Sequence, residues 1–192
     1  MNEKKLNTRK MVLGAIMTAF VIVFQLLATF TAFFGPFSTA IALIPIVIGA
    51  VLCGPAVGAW LGFVFGIVVL ASGGAALFLA FDIPGTFATV LAKGILCGFV
   101  TGLVYKLVGK FNKTFAVVIA SFICPVVNTS VFLLGCAVFF LDDAVKIASA
   151  AGSPDAGMTL FWGFAMANFI FELGMSGILS PAIIRVLKLK NE

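Results

Sequence analysis

From Met11 to Phe34 the chain runs for 24 residues without a charged side chain. That exceeds the roughly 20 residues a helix needs to cross the hydrocarbon core of a bilayer. It is also too long for the core of a cleavable signal peptide, roughly 7–15 residues. Further apolar runs follow at 38–52, 56–71, 84–107, 114–141 and 159–187, divided by short polar or Gly/Pro-bearing breaks. Only helices and closed barrels satisfy their backbone polar groups inside lipid. These runs lack the two-residue alternation of barrel strands. The expected fold is therefore an all-α integral membrane protein, a single membrane domain of six transmembrane helices. With 62 % hydrophobic residues, against roughly 45–50 % in soluble domains, almost no chain is left for a soluble module.

The charges give the orientation. Ten of the 12 Lys and Arg residues fall before the first run, between the fourth and fifth, or at the end of the last. The other loops carry Lys146 alone, beside Asp82, Asp142, Asp143 and Asp155. By the positive-inside rule both termini are cytoplasmic, in a multi-pass protein of the cell membrane. The net charge of +5 thus reports topology, and no nucleic-acid partner is implied.

Small residues and prolines shape the runs. Ala15 and Ala19 form a small-xxx-small pair on the first helix, open to internal packing or to an external partner. Gly54, Gly58, Gly62 and Gly66 recur at intervals of four, and Gly94, Gly98 and Gly102 repeat the device, so the third and fourth helices are built for close packing. Residues 72–82, opening on Ser72-Gly73-Gly74, read as a partly apolar loop or re-entrant piece. Pro45 and Pro125 lie inside runs and should kink them. Asn128 and Thr129 follow Pro125 closely, either to form a site or to satisfy the freed backbone.

Few polar groups lie deep in the runs. Glu172 stands near the middle of 159–187, with Asn168 four residues before it on the same helical face, one turn away. A carboxylate at that depth needs a partner or a polar cavity. The other deep charge is Lys93, with Thr86 nearer the start of its helix. Two readings stand at this point: a Lys93–Glu172 ion pair that fixes helix register, or a ligand site made of Lys93, Asn128, Asn168, Glu172, Thr86 and Thr129.

The missing parts exclude much. There is no histidine, no G-x-S-x-G and no aspartate pair within a run, so no catalytic centre is expected. The cysteines Cys53, Cys97, Cys124 and Cys136 form no C-x-x-C and read as small packing residues, with no metal site and no cofactor bound by this chain. Without a P-loop the chain does not itself turn over ATP. A small oligomeric channel and an ion-coupled secondary carrier remain as alternatives, although the two halves show no internal repeat.

The pattern resembles the substrate-binding S components of energy-coupling factor (ECF) vitamin transporters over the whole chain. The stretch Arg9-Lys10-Met11-Val12-Leu13-Gly14-Ala15-Ile16-Met17-Thr18-Ala19 is similar to the family's A-x-x-x-A first helix. Pro45-Ile46-Val47-Ile48-Gly49-Ala50 and Gly54-Pro55-Ala56-Val57-Gly58-Ala59 resemble its second-to-third-helix region. The resemblance implies docking through Ala15 and Ala19 on a transmembrane coupling subunit, which sits on two ATPase subunits that use the ATP. It also implies a vitamin-like ligand in the outer half, between the last three helices and beneath the first and third connecting loops. The Phe30, Phe33, Phe34 and Phe37 cluster belongs to such a cap or meets lipid, and Trp162 fits an interfacial aromatic belt. The Lys93 ammonium suits an anionic group, which makes pantothenate the first choice among vitamins, whereas a Lys93 neutralised by Glu172 suits a neutral ligand better. The riboflavin and thiamine members are not closely matched.

Overall fold

The computed structural model describes residues 2–31, 39–80, 82–139, 166, 169–178, 180–181 and 183–185. Asn168, Trp162, the loop 142–155 and the Gly35-Pro36 break lie outside the described residues. Every regular element among those described is an α-helix: α1 (Asn2–Thr31), α2 (Thr39–Cys53), α3 (Pro55–Ala71), the short α4 (Ala76–Leu79), α5 (Ile83–Val108) and α6 (Lys113–Phe139). Residues 169–178 are helical as well.

Three stretches are long and apolar enough to cross a membrane: Thr8–Phe30, Ile83–Val108 and Lys113–Phe139. The chain is thus a helical membrane protein. Helix α1 begins at Asn2, well before the apolar run, because Glu3, Lys4, Lys5 and Leu6 are all good helix formers and no Gly or Pro intervenes. Helices α2 and α3 are equally apolar but only 15 and 17 residues long, about 22 and 26 Å at 1.5 Å per residue. Their lengths are cut by the breaks around them. Between them Gly54 adopts φ 103°, a left-handed conformation that only glycine takes without strain, and Pro55 opens α3 at its first turn. The 72–82 stretch contains a single helical turn, α4.

Each later start has a local cause. Asp82 caps α5, its Oδ2 accepting a hydrogen bond from the Gly85 N–H at 3.1 Å, with Pro84 in the first turn. Asn112 does the same for α6, its Oδ1 accepting from the Thr114 and Phe115 N–H groups.

The tightest packing joins α3 to α5. The helices run antiparallel, and their glycines face each other: Gly58 against Gly98, Gly62 against Gly94, Gly66 against Val90 and Leu91, Gly102 against Pro55. A Cβ added at Gly62 would fall on the Gly94 carbonyl oxygen, and one added at Gly98 on that of Gly58. Only glycine lets two backbones approach so closely. Helix α6 packs on the other side of α5, and α1 and α2 lie against α3. Phe65, Leu61, Ile46, Val21 and Val117 are fully buried in the core they share. Large apolar side chains such as Phe30, Leu134, Val138 and Ile170 point outward, as suits a surface solvated by lipid.

Candidate binding site

Helices α3, α5 and α6 and the 169–178 segment meet around a small set of polar groups in an otherwise apolar core. Glu172 is 1 % exposed. Its Oε1 accepts a hydrogen bond from Asn128 Nδ2 and its Oε2 one from the Thr129 hydroxyl, each at 3.4 Å, near the long limit for such bonds. Four residues on, the Ser176 hydroxyl donates to the Glu172 carbonyl oxygen at 2.9 Å. Three of the residues singled out from the sequence, Asn128, Thr129 and Glu172, are therefore in contact.

Lys93 projects from α5 into the same region and is 9 % exposed. Its ammonium lies 5.0 Å from the ring centroid of Phe132 on α6 and 5.9 Å from that of Phe65 on α3, within range of cation–π attraction. The described contacts of the ammonium are thus two aromatic faces rather than a carboxylate oxygen. The Lys93 ammonium faces Phe132, one turn along α6 from Asn128.

Among the described residues, two buried atoms in this region have no hydrogen-bond partner: the Asn128 Oδ1 and the Thr89 hydroxyl oxygen. Thr89 lies one turn before Lys93 on α5 and faces Gly135 of α6, where an added Cβ would strike it. An orphaned buried polar atom costs about 1–3 kcal/mol. Thr86 behaves differently. Its hydroxyl donates to the Asp82 carbonyl oxygen at 2.6 Å, within the first turn of α5.

The sequence did not single out Thr89, Phe65 or Phe132 for this role. Thr89 was traceable, since it lies four residues before Lys93 and hence on the same helical face. The rings were not, because phenylalanine is common throughout, with 22 in the chain. The thiols of Cys97 and Cys124 touch at 3.2 Å in the buried α5–α6 interface. No cluster of metal-ligating side chains occurs among the described residues.

Two further features surround the cluster. A small cavity opens beside Glu172, with Leu43, Ile44 and Val47 of α2 on one wall and Ser121, Glu172 and Ser176 on the other. On α1, Ala15 and Ala19 are exposed in company with Met11, Val12, Ile16 and Phe20, whereas Gly14 turns inward to Val57 and Thr18 accepts a hydrogen bond from the Trp60 indole. The small pair therefore lies on the outer face of the helix.

Residues 9–184 match the family model described as "ECF transporter, substrate-specific component". No curated protein and no solved structure matches the chain.

Proposed function

The chain belongs to the substrate-specific components of ECF transporters, and from that premise we propose that it captures an anionic, vitamin-like molecule at the Lys93–Asn128–Glu172 cluster, with pantothenate the first candidate. The observation that carries this reading is the buried Lys93 ammonium, held against two aromatic rings, with two polar atoms orphaned among the described residues on the same pair of helices, α5 and α6. An anion placed there gains a charge-assisted hydrogen bond in low dielectric. Hydroxyl and amide groups on the ligand answer the Asn128 Oδ1 and the Thr89 hydroxyl, and Asn168 and Thr129 complete the polar side. Thr86 serves from the entrance of α5.

In this proposal the chain makes six spans with both termini cytoplasmic, in the cell membrane. It carries out no bond chemistry. The ligand is taken from outside and delivered inward when a separate module, a transmembrane coupling subunit on two ATPases, makes the chain reorient. Exposed Ala15 and Ala19 give that coupling subunit a face without bulk.

Mass spectrometry of the small molecules that co-purify with the chain tests the substrate directly. A vitamin-sized carboxylate is expected, released in stoichiometric amount on denaturation. A cationic or strictly neutral ligand would overturn the anionic reading.

A further inference from the structure

The connection between α5 and α6 carries the most exposed large apolar side chain among the described residues, Phe111, at 92 %. Only residues 109–112 separate the two helices. The N–H groups of Phe111 and Asn112 both donate to the Val108 carbonyl oxygen, at 3.0 and 3.3 Å, so the turn is folded back on the end of α5. Both helices that it joins are long and apolar enough to cross a membrane. A turn this short leaves Phe111 at the edge of the acyl layer rather than far out in water. Leu107 and Phe115, four residues before and after it, are exposed as well, and the apolar outer surface of the two helices thus reaches the ring.

Positive charge surrounds this ring. Lys106, Lys110 and Lys113 are exposed, and no acidic residue occurs between Asp82 and Asp142. Two further cations lie at the same end of the bundle. Gly102, one turn before Lys106, meets Pro55 at the start of α3, and Gly14, one turn after Lys10, meets Val57 just beyond it. The start of the apolar run of α1 and the end of α5 therefore flank the same end of α3, and Arg9 and Lys10 are exposed there, against one acidic residue in α1, Glu3. None of these five cationic side chains has a hydrogen bond or ion pair among the described residues. At its opposite end α5 starts on an acid, Asp82.

An apolar ring at the acyl boundary, surrounded by unneutralised cations, fits one kind of partner, the negatively charged headgroups of a bilayer leaflet. Lysine stems lie along apolar surface while their ammonium groups reach the headgroup layer. We propose that the α5–α6 turn is an anchor for anionic phospholipids, with Phe111 seated among the acyl chains and Lys106, Lys110 and Lys113 pairing with lipid phosphates, supported by Arg9 and Lys10. No group of the Lys93 cluster takes part, so the anchor stands apart from ligand capture. With both termini cytoplasmic, as proposed above, the leaflet is the inner one.

The test uses the purified full chain in nanodiscs of phosphatidylcholine with a minor share of phosphatidylglycerol, and native mass spectrometry reads which lipid stays with the chain on release. Phosphatidylglycerol is expected to be enriched over its share in the bilayer. The enrichment should fall about fivefold or more when Lys106→Gln, Lys110→Gln and Lys113→Gln are combined, and persist when the same three positions are changed Lys→Arg. Phe111→Trp adds a depth readout: the fluorescence it contributes beyond that of the unaltered chain should be quenched by brominated acyl chains, more strongly by those on phosphatidylglycerol than by those on phosphatidylcholine. Equal retention of the two lipids, enrichment unchanged in the glutamine variant, or an introduced indole quenched only by aqueous iodide would overturn the anchor. Equal retention would leave the basic end to an acidic protein surface instead. None of these outcomes depends on pantothenate binding, so the anchor and the anionic-ligand reading fail separately.

Discussion

Helix α5 faces two different interiors. Toward α3 it presents Gly94, Gly98 and Gly102, and the two backbones touch with nothing between them. Toward α6 and residues 169–178 it presents Thr89 and Lys93, where rings, a carboxylate and an amide gather without full hydrogen bonding. The glycine seam has one solution, because any added atom collides with a carbonyl. The polar side tolerates orphaned atoms at a cost in stability, and of the three found among the described residues two are here, the third being the Gln25 Oε1 on α1. The contrast teaches how a small bundle divides its labour. One face of the helix is fixed by backbone contact, and the other holds the polar groups.

The comparison breaks first at the seam. Gly62→Ala puts a methyl group on the Gly94 carbonyl oxygen, and a loss of about 3 kcal/mol or more is expected, seen as a collapse in the monodisperse fraction on size-exclusion chromatography. The same substitution at Gly174, where an added Cβ meets nothing within 4 Å, should be neutral or slightly stabilising. Equal effects at the two sites would show that the seam is not constrained as described. On the polar side, Asn128→Leu removes a donor from the Glu172 carboxylate and should lower stability by roughly 2 kcal/mol in thermal unfolding.

Thr89→Val sharpens the contrast with a smaller effect. The hydroxyl has no partner among the described residues, so replacing it with a methyl group should raise the stability of the unliganded chain by about 1 kcal/mol while weakening ligand binding by about 1 kcal/mol. A drop in stability would mean that the hydroxyl is bonded after all. Replacing exposed Ala15 or Ala19 with Leu should change stability least, by less than about 0.5 kcal/mol, and leave ligand affinity intact while abolishing uptake in cells. Loss of binding together with uptake would contradict an external docking face.

Much of this division was legible in the sequence. The four-residue glycine spacing in α3 and α5 foretold their close approach, and the deep positions of Lys93, Asn128 and Glu172 foretold a polar centre. The break between α2 and α3 followed from Gly54 and Pro55, residues whose local chemistry is independent of the rest of the fold, whereas the caps Asp82 and Asn112 were not singled out. Other features were not legible, because they depend on which faces meet. The orphaned state of Thr89 arises from its position opposite Gly135. The aromatic flanking of Lys93 arises from two phenylalanines on different helices, and spacing within one helix says nothing about either. The small cavity beside Glu172 likewise needs α2 beside α6 and Ser176. The outward direction of Ala15 and Ala19 needed the inward contacts of Gly14 and Thr18 to decide it.

The central claim is that Lys93 serves a ligand anion rather than a purely structural ion pair with Glu172. A double-mutant cycle of Lys93→Met and Glu172→Gln, read by pantothenate affinity in calorimetry and by thermal stability in the same preparations, separates the two. If Lys93 holds the ligand, Lys93→Met should weaken binding by roughly 2–5 kcal/mol, and the double variant should not recover it. If the pair is structural, each single change should cost about 3–5 kcal/mol of stability, the double variant should regain most of it, and Lys93→Met should bind pantothenate as tightly as the unaltered chain. That last result, in a folded protein, would contradict the account.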